Sequence, residues 1–565
     1  MKKRLYAAIF VLISCSIFSA SANASNNSSW IPGPHFEPSY HSMVYQDLST
    51  LNWNYSVMQS GEPGGMFLCS SSTDEHCKNS TWITYSSVLR ACTAPSDTNC
   101  IESLQATDST GKVSSATFSN YTVTDHVNSY PADPKLGIPA GDVPSIWNLE
   151  GAKHETSSQY AIVAGISGDV NNGKPGNNVL AVSLFPVSLK DFGSNDSSLW
   201  GSPLKYDFCR QVQQSATTMN INCGHALGTD CLLPTNASGM CYQQEAFPAD
   251  TRFAVKLRLT KEPTAWLHGR MVDPNIQITP IESGGVTLSV DAATTNVPMV
   301  YQGGLWSDLP QSVKDFWVAC MKGGTDSCGR IGTTAQDMDY WKKSLTLEGN
   351  ATSNLEGSVN SFGSIALQGM KAIAPLIGDK ANAQTSSWSY RTLSNAEMSG
   401  SNSCFTKNSG VKGLVTTNST TYSAGPPAFD KSTGVLNYQV ASPHFNPDGT
   451  VFKGNYNLVI KSDVARCLYG FSKAPVNATI SITSADGTPQ LATTVVGEKD
   501  GWIYLKASNF EFSAPTVQVK LTQDAPATST QSTAAKKKSI SITCVKGKVS
   551  KVVTGKSCPT GYIRK

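Results

Sequence analysis

Residues 452–461 of this chain read FKGNYNLVIK, in which apolar and polar side chains alternate along the second half. The same alternation returns in ATISIT (478–483) and TVQVKLT (516–522), whereas WIYL (502–505) is apolar on both faces. Alternation with period 2 is typical of a strand with one buried face, and two apolar faces are typical of a central strand. Turn-forming residues separate these strands at Pro447-Asp448-Gly449, Asp486-Gly487 and Asp500-Gly501. Residues 403–522 are therefore predicted to form an antiparallel β-sandwich.

Strand patterns continue towards the N-terminus. Residues 135–305 contain the apolar run 160–166 and an alternation that buries Phe253, Val255, Leu257 and Leu259, so a central β-sandwich is predicted there. Residues 25–134 are rich in Ser, Thr and Asn and carry two close cysteine pairs, which predicts a disulfide-rich β region.

Apolar residues change to helical spacing in residues 306–402. Val313, Phe316 and Trp317 form one such stripe, and Leu367 and Met370 form another that Pro375 should end or kink. We predict a mainly helical segment there. The fold class is thus mainly β, with tandem antiparallel β-sandwich modules, a smaller helical segment and disulfide staples.

The N-terminus has the pattern of a secretory signal. Lys2, Lys3 and Arg4 precede an apolar run, and Ala22-Asn23-Ala24 offers a small-residue cleavage site, so residues 1–24 are predicted to be a signal peptide. No later stretch approaches about 18 uninterrupted apolar residues. We expect an extracellular protein with no transmembrane segment after signal removal.

Cysteine usage agrees with export. Removing Cys15 from the 15 cysteines leaves an even number, as an oxidising compartment favours. Three pairs share C-x7-C spacing, and the metal-site alternative lacks its usual C-x2-C or Cys/His clusters, so no metal site is predicted. The predicted disulfides are Cys69–Cys77, Cys92–Cys100, Cys209–Cys223, Cys231–Cys241, Cys320–Cys328, Cys404–Cys467 and Cys544–Cys558.

Charge is distributed unevenly along the chain. The formal net charge is +3, yet residues 536–565 carry nine Lys or Arg and no acid, so the body of the chain is acidic. An acidic body makes nucleic acid an improbable partner. After a Pro/Thr/Ser/Ala linker at 523–538, the basic cysteine-containing element 539–565 is predicted either to hold the protein to an anionic cell surface or to serve as a solubilising tail.

The C-terminal sequence carries a family resemblance. Residues 542–548 (ITCVKGK), with CPTGY at 558–562, resemble an element found at the ends of uncharacterised secreted proteins of actinobacteria. Residues 462–471 (SDVARCLYGF), with Asp500-Gly501-Trp502, resemble the last β module of the same group. The resemblance implies a secreted bacterial protein, and it implies no activity, ligand or catalytic residue.

Catalytic signatures are missing from the sequence. It contains no G-x-S-x-G elbow and no phosphate-binding glycine loop, and His154-Glu155 lacks the second histidine of H-E-x-x-H. A glycosidase needs only two well-placed carboxylates, so a secreted polysaccharide-acting hydrolase remains the alternative. Asp169-Val170-Asn171-Asn172-Gly173 suits a strand-to-strand turn better than a calcium loop. No cofactor is predicted.

One segment suits an exposed binding loop. Trp266, His268 and Arg270 follow an amphipathic strand and could contact a cell-wall or extracellular polysaccharide, although most aromatic rings of such a chain fill cores. The sequence thus predicts a secreted or cell-surface, non-enzymatic protein with a binding, adhesion or surface-structural role.

Overall fold

A computed structural model describes the chain over most of its length. The described residues are 40–45, 55–62, 65–126, 128–191, 210–215, 218–222, 231–237, 240–282, 284–305, 310–322, 355–359, 363–407, 409–472, 476–483, 489–490, 493–512, 515–523 and 541–565. The predicted signal peptide, nearly all of the predicted linker, and the bridges Cys209–Cys223 and Cys320–Cys328 depend on residues outside these ranges. Among the described residues, no helix is both long and apolar enough to cross a membrane.

The contacts divide the chain into two compact units. The larger unit comprises Met1–Ser472 with Ala478–Leu521, and the smaller comprises Lys473–Asn477 with Thr522–Lys565. The strands are, in chain order, β1 Tyr40–Tyr45, β2 Val57–Glu62, β3 Gly65–Leu68, β4 Trp82–Val88, β5 Cys100–Thr107, β6 Val113–Ser115, β7 Thr117–Tyr121, β8 Ser145–Asn148, β9 Gln159–Asn171, β10 Lys174–Pro175, β11 Val179–Asp191, β12 Arg210–Ser215, β13 Thr218–Asn222, β14 Cys231–Pro234, β15 Met240–Gln244, β16 Arg252–Leu259, β17 Ala265–Arg270, β18 Val272–Pro280, β19 Val286–Ala293, β20 Thr295–Leu305, β21 Leu355–Val359, β22 Ala383–Ser387, β23 Ser389–Thr392, β24 Val411–Thr417, β25 Thr421–Tyr422, β26 Ala428–Asp430, β27 Val435–Ala441, β28 Lys453–Lys461, β29 Val476–Thr483, β30 Pro489–Gln490, β31 Thr493–Lys499, β32 Trp502–Glu511, β33 Thr516–Gln523, β34 Ser541–Lys546, β35 Val549–Thr554 and β36 Ile563–Arg564. The helices are α1 Gln311–Lys322, α2 Ser364–Ile373, α3 Asn395–Met398, α4 Ser403–Thr406 and α5 Ser462–Tyr469, with a 3-10 turn at Ala374–Ile377.

This arrangement confirms the predicted fold class: the chain is mainly β, its sheets are largely antiparallel, its helices are few, and disulfides join close strands and loops. In the predicted helical segment, α1 buries Val313 and Phe316, and α2 buries Leu367 and Met370. Helix α2 gives way to the 3-10 turn that contains Pro375, as predicted. The same segment also supplies β21, β22 and β23.

A long main sheet runs through the larger unit. Strand β9 lies between β11 on one side and β4 and β8 on the other, and β11 continues through β23, β17, β24, β28 and β32 to β31. The strands come from the predicted first, central, helical and C-terminal segments alike. The sheet therefore joins stretches that are hundreds of residues apart in sequence.

Strand β9 shows why its apolar run is continuous. Tyr160, Ile162 and Ala164 contribute to one hydrophobic core, while Ala161 and Val163 contribute to a second core on the opposite face. A strand that is covered on both faces needs apolar residues at every position. The run 160–166 is thus explained by its place at the centre of the sheet.

A second, five-stranded sheet covers the larger of these cores, and we call it the groove sheet. Its strand order is β18-β19-β16-β5-β6, and each pair of neighbouring strands in it is antiparallel. The central strand β16 alternates strictly, with Phe253, Val255, Leu257 and Leu259 facing the core, as the sequence predicts. The residues that alternate with them on β16 face the outer side of the sheet.

Four predicted disulfides are present. They are Cys69–Cys77, Cys92–Cys100, Cys404–Cys467 and Cys544–Cys558. Cys241 is also disulfide-bonded, and the side chain of its predicted partner Cys231 lies outside the described part.

Each of the first two bridges closes a loop that an aspartate organises from within. Asp74 accepts hydrogen bonds from the backbone N–H groups of Ser70 and His76, and Asp97 accepts them from Thr93 and Ala94. The donated N–H groups lower the pKa of Asp97 to about 2. Asp74 and Asp97 therefore shape the two loops that the C-x7-C cysteine pairs close.

Candidate functional site

The segment predicted as an exposed binding loop lies in the protein interior, so that expectation is wrong. Trp266, His268 and Arg270 belong to strand β17, which pairs with β23 on one side and β24 on the other. All three residues are at most 4% exposed. After the amphipathic strand β16, the chain does not loop into solvent but enters the middle of the main sheet.

The hydrogen bonds of Arg270 go to a buried connection between two strands, and not to an exposed surface. Its guanidinium Nη1 donates to the carbonyl oxygens of Thr417 (3.1 Å) and Ser419 (2.6 Å), and it lies 4.6 Å from the ring centre of Tyr422. His268 belongs to the same cluster, because its ring stacks on the ring of Tyr422 with 3.8 Å between the ring centres. Residues 418–420, which connect β24 to β25, are buried and polar. The cluster therefore stabilises the segment in which the chain passes from the sheet of β24 to the sheet of β25.

The outer face of the groove sheet forms a concave polar site, which we call the groove. It is an open groove with a volume of about 760 Å³, and it is lined by four neighbouring strands, β5, β16, β18 and β19, with Pro95 and Ile281 also in the lining. A cavity of this size falls within the range of about 300–1,000 Å³ that is typical of ligand sites. We take the groove as the candidate functional site.

A β-bulge places two consecutive residues on the groove. Strand β5 pairs Ser103 with Lys256 and Ile101 with Leu257, so Glu102 is an extra residue between two ladder positions. Side chains normally alternate between the faces of a strand, yet Glu102 and Ser103 both line the groove. Bulges re-aim side chains in this way at many functional sites.

Three charged side chains form one ion-paired cluster in the groove. Lys256 Nζ donates to Glu102 Oε1 at 2.9 Å, and Arg258 Nε donates to Glu102 Oε2 at 3.1 Å. Burial alone would raise the pKa of Glu102, but the hydrogen bonds from the two cations outweigh it and lower the pKa. Glu102 is therefore a stable carboxylate at neutral pH, and the cluster carries one net positive charge.

The Cys92–Cys100 loop beside the groove fixes Arg258. Its Nη1 donates to the carbonyl oxygens of Ala94 (2.7 Å) and Pro95 (2.9 Å), which lie inside the Cys92–Cys100 loop. A guanidinium with three fixed acceptors loses little further freedom when a ligand binds. The loop thus pre-organises one end of the groove.

The rest of the lining is neutral and polar. Hydroxyl and amide groups come from three of the four strands, β5, β18 and β19: Ser103, Gln105, Gln277, Thr279, Thr287 and Ser289. Such groups both donate and accept hydrogen bonds, so together they match a ligand whose surface carries many hydroxyl groups. Charged and neutral groups of the groove form one continuous polar surface.

The groove has limited means for acid–base chemistry. Glu102 is the one carboxylate among its lining residues, whereas glycoside hydrolysis uses two, one of them with a raised pKa. In the described part of the chain, no group of three or more His, Cys, Asp or Glu side chains is placed to hold a metal ion.

Residues 169–173 lead from strand β9 into a strand-to-strand turn, which the sequence predicts in preference to a calcium loop. Strands β9 and β10 pair Asn171 with Lys174, and the two residues between them, Asn172 and Gly173, have φ values of 48° and 72°. Two consecutive residues with positive φ define the tight hairpin that Asn-Gly favours.

Comparison with known proteins finds no matching protein family, no matching curated protein and no matching solved structure.

Proposed function

We propose that this chain is a secreted or cell-surface, non-enzymatic protein of β-sandwich modules that binds an extracellular polysaccharide in the groove. The observation that carries the proposal is the bulge at Glu102, which adds a carboxylate to a surface already rich in amides and hydroxyls. A polysaccharide presents hydroxyl groups along its whole length, and its recognition needs many converging donors and acceptors.

Export is part of the proposal. It rests on the predicted signal at 1–24 and on disulfides in both units of the chain, which persist in oxidising compartments. The resemblance to secreted actinobacterial proteins supports the same location. An ion-paired Glu102 with a lowered pKa makes a poor general acid, so we favour binding over the hydrolase alternative.

Binding is tested with the oxidised full-length mature protein on an array of extracellular glycans and cell-wall fragments. In Ser289→Trp, an indole fills the groove from strand β19, and binding should be lost. The matched control is Ser119→Trp, since Ser119 is an exposed strand residue on β7 outside the groove and binding should be unchanged. Lys256→Gln should weaken binding about tenfold or more, as for a lost hydrogen bond to a charged group.

Turnover is measured in the same samples. Saturable binding without release of reducing ends supports the proposal. Release of reducing ends that is lost in Glu102→Gln would replace it with the hydrolase alternative. Equal binding by wild type and Ser289→Trp would place the glycan site elsewhere on the protein.

The basic C-terminal element supplies a second part of the proposal, retention at an anionic cell surface. Residues 536–565 carry nine basic side chains and no acid, so they are attracted to anionic polymers and lipids at low ionic strength. Deleting these residues should shift the protein from the cell fraction to the medium, and a salt wash should do the same to wild type. Unchanged partitioning would mean that the element is a solubilising tail.

A further inference from the structure

One row of side chains runs straight across the surface of the groove. The strand register places Lys256 of β16 between Ser103 of β5 and Ser289 of β19, and Ser289 in turn lies opposite Gln277 of β18. Directly opposite residues of antiparallel strands share a face, with their Cβ atoms about 4.5–5.5 Å apart. All four side chains line the groove. Lys256 is therefore flanked by a serine hydroxyl on each side.

The neighbours of Lys256 in the sheet are small. Besides the two serines, Ala254 lies on the same face of β16, since side chains alternate along a strand. These short side chains leave the lysine accessible. The side chain of Lys256 is 37% exposed, compared with 23% for Glu102 and 18% for Arg258. Lys256 is thus the member of the ion-paired cluster that a ligand reaches most readily.

The positive charge of Lys256 remains available for a ligand. Arg258 donates to Glu102 Oε2 and to the carbonyl oxygens of Ala94 and Pro95, so its charge balances that of Glu102. Within the described residues, Lys256 Nζ forms one hydrogen bond, to Glu102 Oε1 at 2.9 Å. An ammonium group has three N–H donors, so two of them are left for the groove.

A ligand that fills the groove takes water away from this ammonium group. Removing water from a charge is unfavourable unless an opposite charge replaces the water. A neutral sugar offers only hydroxyl dipoles, whereas a carboxylate or sulfate supplies both an opposite charge and acceptors for the two N–H donors. The serine hydroxyls on either side can donate to the remaining oxygens of the same group. The row therefore fits one anionic group.

We propose that the groove selects acidic polysaccharides, and that Lys256, flanked by Ser103 and Ser289, holds a carboxylate or sulfate group of the ligand. This inference rests on the proposed polysaccharide binding and names the class of polysaccharide. Lys256 sets the selectivity, while Gln277 and the other neutral groups of the groove contact the ligand hydroxyls.

The test uses the oxidised full-length mature protein and oligosaccharides from the glycan array that carry one acidic sugar. Each is paired with its neutralised form, made by carboxyl reduction or by desulfation, which keeps the length and the linkages. Lys256→Met removes the ammonium group and keeps an apolar stem. Lys153→Met is the matched control, because it removes the same charge from a side chain that is 68% exposed and lies outside the groove.

We expect wild type and Lys153→Met to bind each acidic oligosaccharide at least tenfold more tightly than its neutralised form, as for a hydrogen bond between charged groups. In Lys256→Met this ratio should fall to about one, while binding of the neutralised form is unchanged. A distorted groove would instead weaken both forms. Loss on carboxyl reduction identifies a uronic acid in the ligand, and loss on desulfation identifies a sulfated sugar.

Equal binding of acidic and neutralised forms, abolished in Ser289→Trp, would refute the selectivity and leave polysaccharide binding in the groove intact. Selectivity that survives Lys256→Met would refute the assignment to Lys256. If that selectivity also survives Ser289→Trp, the basic residues 536–565 hold the acidic glycans. Absence of binding to every glycan would remove the proposed function together with this inference.

Discussion

Replacing Arg270 with methionine distinguishes an interior role from the binding role that the sequence suggests. Arg270 is buried in β17, and its guanidinium donates to the carbonyl oxygens of Thr417 and Ser419 and lies within 3.5 Å of the Thr420 carbonyl oxygen. Methionine keeps much of the apolar packing of the stem, while it removes every donated hydrogen bond. The substitution therefore isolates the polar contribution to stability.

The expected loss follows from those contacts. A hydrogen bond that involves a charged group contributes about 1.5–3 kcal/mol, and the bonds to Thr417 and Ser419 measure 3.1 Å and 2.6 Å. We expect Arg270→Met to lower the free energy of unfolding by about 3–5 kcal/mol, close to the cost of breaking other buried charged contacts. Urea denaturation, monitored by tryptophan fluorescence, measures this change in the free energy of unfolding. Glycan binding of the folded variant should be unchanged.

Lys153→Met is the control, because Lys153 is 68% exposed and its pairing with Glu150 is a surface contact. Its unfolding free energy should stay within about 0.5 kcal/mol of wild type. If Arg270→Met were as stable as this control and lost glycan binding, the interior assignment would be refuted. The segment around Trp266 would then be the ligand site.

Two further predictions concern the disulfides and pH. Replacing Cys404 and Cys467 together with serine should cost about 4 kcal/mol, because the bridge spans a sequence separation of 63 residues; an unchanged denaturation midpoint would contradict this. The pKa of Asp97 is lowered to about 2, so its stabilisation of the Cys92–Cys100 loop is complete above the unfolded pKa of about 3.9 and is lost as pH falls through about 2. Asp97→Asn should therefore flatten the stability profile between about pH 4 and 2, and an identical acid profile in the variant would count against the assignment.

The inner face of the groove sheet could be predicted from sequence, because β16 alternates strictly and alternation reports burial directly. The outer face could not be assembled, since β5 lies about 150 residues before β16 and no local signal states that the two strands pair. The bulge at Glu102 also leaves no mark in the sequence. It is a property of how two strands align, and only their pairing reveals it.

The error at Trp266 has a physical cause. A local pattern of aromatic, basic and glycine residues is common to exposed loops and to polar interiors, and composition alone does not separate them. Gly269 was the available signal: a Cβ there would lie 2.9 Å from the carbonyl oxygen of Ser389. A glycine inside a strand often marks such close backbone approach, which favours a central strand over a loop.

Disulfides were the most predictable long-range feature. Short spacings suggested local loops, which left Cys404 and Cys467 for one long bridge, and the structure confirms that pair.

The central claim is that a polysaccharide occupies the groove, and the most direct test is a crystal structure of the mature protein with an oligosaccharide that the array selects. We predict sugar density across β5, β16, β19 and β18, with hydrogen bonds from Lys256 and Gln277 to the ligand. Density over the exposed rings of Trp82 or Phe118, with the groove free of sugar, would contradict the account.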